Sequence, residues 1–495
     1  MTLVQNFPLF SIILSLFCAV ISFALNQNSA RRITIFLLSA SMVMQAATLL
    51  FCQQGNLSYD YMMGHYPAPW GNEITVGVLE CVMALLFAFV MLFSILGGME
   101  HILHDVTPTR QRLYWVMVDL THAALLALCY TNDLFTAYVF IEILTLASCA
   151  LLAVRSGGKT LLASVRYLIF ALVGSGLFLI GVILTYSVTG HLLFPQLHQA
   201  IAALWQEQTY RLPMTVAIGL MVSGLAIKSG LFPFHFWVPD AHSRAITSSS
   251  CILSGVVFKG YIFLLIKIIY QVLGIDVYLA SGVQNILLVL GIGGMIVCSV
   301  SAIQTGQIKP MIAFSSAAQI GYIYMGLGMG TETALLAALF QIFSHALTKP
   351  MLFLAAGRLV DANHGRKDFA SLRGAGHLDP VAGVLFTLGA LSMVGVPLFA
   401  GFIPKLYFAE AALALSWQTW PVLLALAVST VLNVLYFLYT AVLLWMPMAN
   451  PHYQRVTSWI PAIPAAVLAG ANLFFGLCSG PIANLLQQGM TLFFR

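Results

Sequence analysis

The chain has 495 residues, of which 60% are hydrophobic and only 7% charged, with a net charge of +5 and a mean hydropathy of +0.94. Soluble domains carry about 25% charged residues, so this composition cannot cover a water-facing surface. It excludes a soluble enzyme and a nucleic-acid-binding domain. Apolar runs of about 20 residues, long enough to cross a bilayer roughly 30 Å thick, recur from end to end. They are continuous rather than alternating, which excludes a closed barrel. The fold class is therefore all-α: a polytopic membrane protein embedded in the lipid bilayer.

In chain order the hydrophobic segments fall at 8–25, 33–51, 76–97, 113–130, 133–154, 163–187, 213–234, 247–272, 279–301, 311–329, 333–356, 381–403, 416–446 and 458–485. The first, with no Lys or Arg before it, is expected to be a membrane span rather than a signal peptide. The fourth and fifth leave room only for a tight turn at Thr131, Asn132 and Asp133. The thirteenth is long enough to be tilted or bent. Positive charge orients the set. With the N-terminus outside, the odd loops carry fourteen Lys and Arg, running from Arg31 through Lys309 and Arg358 to Arg455, whereas the even loops and the C-terminus carry only Arg211 and Arg495. Both termini are therefore expected on the outer face of the cell's inner membrane.

The five remaining basic residues are Lys228, Lys259, Lys267, Lys349 and Lys405, and all fall in or near hydrophobic segments. The choice of lysine has a physical meaning. Arginine holds its proton at any usable pH, whereas desolvation makes a buried lysine able to release one. Charge at membrane depth costs several kcal/mol and marks ion pathways. Among the acids, Glu142 lies near the middle of the fifth segment. It either pairs with a lysine to hold helices together or takes part in ion movement, and an ion pair that forms and breaks does both.

Lys228 precedes Gly230 and Pro233, so its helix should break there. Lys405 lies beside Gly395, Pro397, Gly401 and Pro404 in a second interrupted segment. Two such segments, five apart, suggest corresponding parts of two repeats. Five is odd, so the repeats are inverted. The expected organisation is residues 1–112 with the first three helices, 113–272 and 279–446 as the two five-helix repeats, and 447–495 with the last helix.

Lys259 is mid-segment. Lys267, eight residues on, either joins it inside or snorkels to the interface. His345 and Lys349 share one helix face at i, i+4, and Pro350 should loosen the backbone after them. A histidine between lysines suits proton relay, because imidazole titrates near neutrality. Weaker candidates are Asp119 and His122, at i, i+3 in the fourth segment, together with Glu80 and Glu410. His235, Asp240, His242 and Arg244 follow the broken seventh segment and form either a polar inner mouth or a hydrated loop. The eight cysteines lie mostly within apolar runs with no CxxC or Cys/His metal spacing, and no GxGxxG, Walker or haem motif appears. No cofactor or metal site is expected in this chain, and whether it serves an enzyme complex is left open.

The stretch KSGLFPFHFWVPDAHSRAITSSSCILSGVVFKG resembles the signature of the antiporter-like subunits of respiratory complex I, Mrp sodium/proton antiporters and membrane-bound hydrogenases. NDLFTAYVFIEILTLAS, KPMIAFSSAAQIGYI, HALTKPMLFLAAG and PLFAGFIPKLYF are similar to further family segments, and YPAPWGNEI and VGSGLFLIGVILTYSVTG resemble the Mrp D branch and its hydrogenase relatives. The resemblance implies fourteen helices with inverted five-helix repeats and broken helices 7 and 12. It also implies Glu142 and Lys228 as a controlling ion pair, Lys259 as central relay, His345 and Lys349 as the onward link and Lys405 as the terminal site. The chain departs from the family where Gly77 replaces an aspartate and where Asp119 stands in place of a histidine.

The function expected is proton translocation within a hetero-oligomer of membrane subunits, either redox-driven or an Mrp-type antiporter, with sodium as the other candidate ion. The alternatives are a self-contained cation/proton antiporter, which would need a dedicated cation site, and a subunit of a non-redox uptake complex. A purely structural anchor would have no use for buried lysines.

Overall fold

A computed structural model describes residues 3–66, 71–155, 157–447 and 458–494. Residues 67–70 of the YPAPW segment, Arg455 and Arg495 lie outside the described residues. Among those described, twelve helices are long and apolar enough to cross a membrane. Two of the expected segments are not among the twelve. One is the helix Ile308–Met329, and the other is the interrupted pair Pro380–Val394 and Phe402–Leu413.

Local chemistry sets the helix ends. The Asn26 side chain accepts from the Ser29 amide at 2.9 Å and starts the helix Gln27–Gly55. The expected turn at 131–133 is present: Pro108–Tyr130 ends there, and Asp133 caps Leu134–Ala153 by accepting from the Thr136 amide at 2.6 Å. Such caps satisfy amides that helix geometry leaves open. The seventh segment stops at Ser229, where Gly230 takes a left-handed conformation with φ 76°. The chain then runs through a short turn into the helix Trp237–Arg244. The twelfth breaks in the same manner at Gly395, φ 86°. Only glycine adopts such a φ without a steric cost from Cβ.

Several expectations need correction. Pro350 does not break its helix, which runs unbroken from Glu332 to Ala362. Its ring packs at Gly255, where an added Cβ would lie 2.8 Å from Pro350 Cγ. The last segment is two helices, Ile463–Leu477 and Ser479–Phe493, turning at Cys478. The stretch 188–212 holds the helix Phe194–Glu207, and 52–75 holds part of a small antiparallel hairpin of Tyr59–Met62 with Glu73–Val76.

The interior is organised by two helical stretches, Thr247–Leu273 and Glu332–Ala362, whose most apolar 18 residues are fully buried. Thr247–Leu273 is not regular. It contains two π-helical segments, Leu253–Val257 and Ile268–Leu273, and a third occurs at Val434–Leu438 in Thr419–Trp445. Val283–Gln304 and Ile308–Met329 pack on glycine: an added Cβ at Gly328 would lie 2.4 Å from the Leu288 amide nitrogen. Small residues at such crossings let helices approach where lipid supplies no hydrophobic drive. Leu-, Ile- and Phe-rich faces of Phe7–Ala24, Gln27–Gly55 and Gly158–Thr189 point outward.

Candidate functional site

Lys228 occupies the last turn before the Gly230 break. Its ammonium donates to Thr145 Oγ1 at 2.6 Å and stands 5.4 Å over the Tyr261 ring. The Thr145 hydroxyl donates to the Ile141 carbonyl at 2.8 Å and lies 3.2 Å from Tyr261 Oη. One donor and two acceptor positions exhaust what a hydroxyl offers. Glu142 and Lys228 form no direct ion pair here. Glu142 Oε1 is enclosed without a hydrogen-bond partner, and the carboxylate acts on Lys228 only through space. Glu142 sits on a partly exposed edge of its helix, and Thr145, one turn along, takes the ammonium instead.

Lys349 bonds the helix Ile308–Met329, and Lys259 bonds its own stretch at Ser254, which meets that same helix. The Lys259 ammonium donates to the Ser254 carbonyl, within the π segment, and the Ser254 and Ser316 hydroxyls are 2.9 Å apart. The Lys349 ammonium donates to the Ile312 carbonyl at 3.1 Å and to Ser315 Oγ, and stands 5.4 Å from the Phe437 ring. His345 lies one turn before Lys349, fully buried, with both ring nitrogens unpartnered. His242 is in the same condition and stacks on Phe353 at 5.0 Å. These four groups lie within electrostatic range of one another. A buried polar group left unmet costs about 1–3 kcal/mol, so two bare imidazoles beside two lysines are unusual for a purely structural core.

Lys405 follows the second break. Its ammonium donates to the Val394 carbonyl at 2.6 Å and to Thr430 Oγ1 at 3.1 Å, and faces the Tyr322 ring at 5.8 Å. Lys267 does not snorkel. It is fully buried and donates to the carbonyls of Cys129 at 2.9 Å and Thr131 at 2.6 Å. These carbonyls end a helix, where cations are favoured. Glu80 is also buried, accepts from Gln271 at 3.4 Å and is within electrostatic range of Lys267.

The weaker candidates divide. Asp119 and His122 are buried but turn toward the first two helices, bonding Ser22 at 3.2 Å and Ser41 at 2.9 Å. His235 and His242 lie in no hydrated loop, because both are buried. Asp240 is instead near the surface, 2.5 Å from Arg166. Glu410 is exposed and lines an outward cavity with Glu332 and Tyr407. Sequence reasoning missed Lys309, counted as a loop charge. It is buried at the first turn of Ile308–Met329 and donates to Thr247 Oγ1 at 3.4 Å. The adjoining helix-compatible run KPMIAFSS was the available signal. Arg358, also counted as a loop charge, forms an enclosed pair with Asp379 at 2.7 Å.

Among the described residues, no ion pair includes Lys228, Lys259, Lys267, Lys309, Lys349 or Lys405. No cluster of three or more His, Cys, Asp or Glu among the described residues is placed to hold a metal. The sequence profile described as NADH:quinone oxidoreductase/Mrp antiporter, TM, matches residues 131–460. The chain belongs to this antiporter-like family. A curated relative, NADH-quinone oxidoreductase subunit N of Desulforudis audaxviator, is 30% identical over 98% of this chain and 98% of its own length. Two solved structures share the fold of this antiporter-like subunit at a TM-score of 0.88 each. One is a chain of the membrane-bound sulfane sulfur reductase, an archaeal respiratory membrane complex, at 23% identity with 100% of this chain and 98% of that chain covered. The other is a chain of the Mrp complex from Dietzia sp. DQ12-45-1b, at 22% identity and the same coverage.

Proposed function

We propose that this antiporter-like subunit translocates protons through its buried lysines, as one member of a larger membrane complex. The observation that carries this reading is that each buried ammonium is held by hydroxyl or carbonyl oxygens and none by a carboxylate, among the described residues. A fixed structural cation in a low-dielectric interior would be paired, because an unpaired buried charge is costly. Neutral oxygens do not lock the amine in its charged form as a carboxylate would, and the hydroxyls at Lys228, Lys349 and Lys405 can rotate away from their present acceptors to donate to a free amine. The site therefore suits charge that comes and goes.

In this reading Lys228, under the influence of Glu142, governs access to the central group of Lys259, His345, Lys349 and His242. Lys405 is the terminal site, and Lys267 with Glu80 is a side branch. Two features support the inverted five-helix repeats, 113–272 and 279–446. Each has a helix broken at a left-handed glycine, Gly230 or Gly395, and each has a last helix with an internal π segment. The excess of Lys and Arg in odd loops supports termini on the outer face of the membrane. Coupling to a driver falls to partner subunits, as in the multisubunit assemblies that contain the relatives.

Inverted vesicles carrying the assembled complex test this. Lys228→Met is expected to abolish driven proton uptake while the complex still assembles, and Glu142→Gln to reduce it strongly. Full uptake in Lys228→Met refutes the reading. Replacing sodium in the medium with a large organic cation, with uptake unchanged, would assign the transport to protons alone.

A further inference from the structure

Lys259, His345, Lys349 and His242 are all fully buried. Thr247–Leu273 and Glu332–Ala362 are enclosed by other helices, so protons must reach Lys259, His345 and Lys349 along side chains. On the face that carries the basic loops, a cavity of about 420 Å³ opens between the short helix Met99–Asp105 and the end of Glu332–Ala362. Glu100, His101, His104, Asp105, Asp361 and His364 line it. Three imidazoles and three carboxylates thus line one recess that is open at the surface, a polar mouth on an otherwise apolar protein.

One side of this recess leads inward. His101 Nε2 is 2.8 Å from Asp361 Oδ2, and the side chains are 14% and 60% exposed, so the pair spans from water to interior. The other ring nitrogen, Nδ1, is buried and has no partner. Beside it is Gly357, where an added Cβ would lie 2.9 Å from Thr247 Oγ1 and 3.3 Å from His101 Cε1. Glycine thus lets the imidazole and the hydroxyl both close on this helix, nearer than a Cβ would allow. The same hydroxyl receives Lys309, whose ammonium donates to Thr247 Oγ1 at 3.4 Å. Lys309 is buried, has no ion-pair partner among the described residues, and is in electrostatic range of Asp361 outward and His242 inward. His242 in turn is in range of Lys259 and Lys349. The other charges facing this route are Arg155, which is 3.9 Å from Asp105, Lys367 and Arg244.

We infer that this cavity is the proton intake of the central group, with His101, Thr247 and Lys309 as the link to His242. The inference rests on the proton-translocation reading above and adds the point where protons enter. The observation that sets it apart is the succession of an imidazole at the cavity edge, a glycine that lets it approach a hydroxyl, and on that hydroxyl a buried lysine with no ion-pair partner among the described residues. An alanine at 357 would press a methyl against that hydroxyl and imidazole.

The test uses the whole assembled complex in inverted vesicles, which present the basic face outward. Thr247→Val keeps the shape and removes the hydroxyl, and driven proton uptake is expected to fall about tenfold, as for one lost hydrogen-bonded step. Thr247→Ser restores the hydroxyl and should recover the rate, which a merely structural role would not require. Gly357→Ala, pressing a methyl between the Thr247 hydroxyl and the His101 ring, should slow uptake comparably. Should Thr247→Val not assemble, His101→Gln at the accessible edge tests the same link and should show the same fall. Lys228→Met in parallel separates the two ideas. If Lys228→Met abolishes uptake while Thr247→Val, Gly357→Ala or His101→Gln run at the wild-type rate, the intake is overturned and the general function stands. If Lys228→Met also runs at the wild-type rate, the general function falls and the intake with it.

Discussion

Replacing Thr145 by valine tests the contact on which the Lys228 site turns. The substitution keeps the branched shape and removes one oxygen, so packing is disturbed little. It deletes the 2.6 Å bond from the Lys228 ammonium and the 3.2 Å contact with Tyr261. The ammonium then keeps only the face of the Tyr261 ring at 5.4 Å, a contact of about 0.5–2 kcal/mol. A hydrogen bond to a charged group contributes about 1.5–3 kcal/mol. At about 1.4 kcal/mol per factor of ten, the charged state of Lys228 becomes roughly tenfold to a hundredfold harder to populate. If proton transfer passes through that state, driven uptake should slow by the same order, and Thr145→Ser should recover it. The assay is proton uptake by inverted vesicles, normalised to assembled complex on a native gel. Thr145→Val at the wild-type rate with Glu142→Gln inactive would show that the carboxylate alone governs Lys228. The hydroxyl contact would then be incidental.

Lys405→Arg should abolish uptake without loss of assembly, since arginine retains the charge but not the ability to release its proton; wild-type uptake would show that a fixed charge suffices there. Gly328→Ala forces a Cβ to 2.4 Å from the Leu288 amide nitrogen, an overpacking cost of about 1–3 kcal/mol, and should lower the thermal midpoint of the purified complex; an unchanged midpoint refutes the close crossing. In the basic loop, burial first, then the Arg155 and Arg244 guanidiniums, hold Lys367 below its ordinary range. The fold therefore penalises its charged form most fully below the folded pKa, and the penalty fades as pH rises toward the unfolded value. Lys367→Gln should raise the thermal midpoint at pH 7 by more than at alkaline pH, and an equal gain at both refutes the assignment.

Much of the architecture could be read in advance because membranes impose strong rules. Long apolar runs must be helices, so the twelve long helices and the turn at 131–133 were legible. The breaks at Gly230 and Gly395 were legible too, because glycine and proline beside lysine have few uses inside an apolar helix. Other features had no local signature. Pro350 stays within a helix because Gly255 makes room for its ring on a partner helix, a tertiary fact. Lys309 and Arg358 looked like loop charges because hydropathy assigns termini by composition, whereas enclosure depends on which neighbours close over them. The same limit applies to Lys228: the resemblance gave it a carboxylate partner, but only the packing of three helices shows that Thr145 receives the ammonium. His101 was overlooked because its significance comes from Gly357 and Thr247, each more than 100 residues away in sequence.

The π segments of Thr247–Leu273 have an angular consequence. Each adds one residue to a turn, and a residue of regular helix advances by about 100°. Side chains beyond such a segment are thus rotated by roughly that angle from where an unbroken α-helix would aim them. Leu253–Val257 precedes Lys259, so the heading of that ammonium is set by an insertion in the backbone as well as by the choice of lysine. The Ser254 carbonyl that receives it belongs to the same irregular turn. Aim and receptor are therefore fixed together: shortening the segment by one residue would turn the amine away from its oxygen and its neighbours while removing no titratable group.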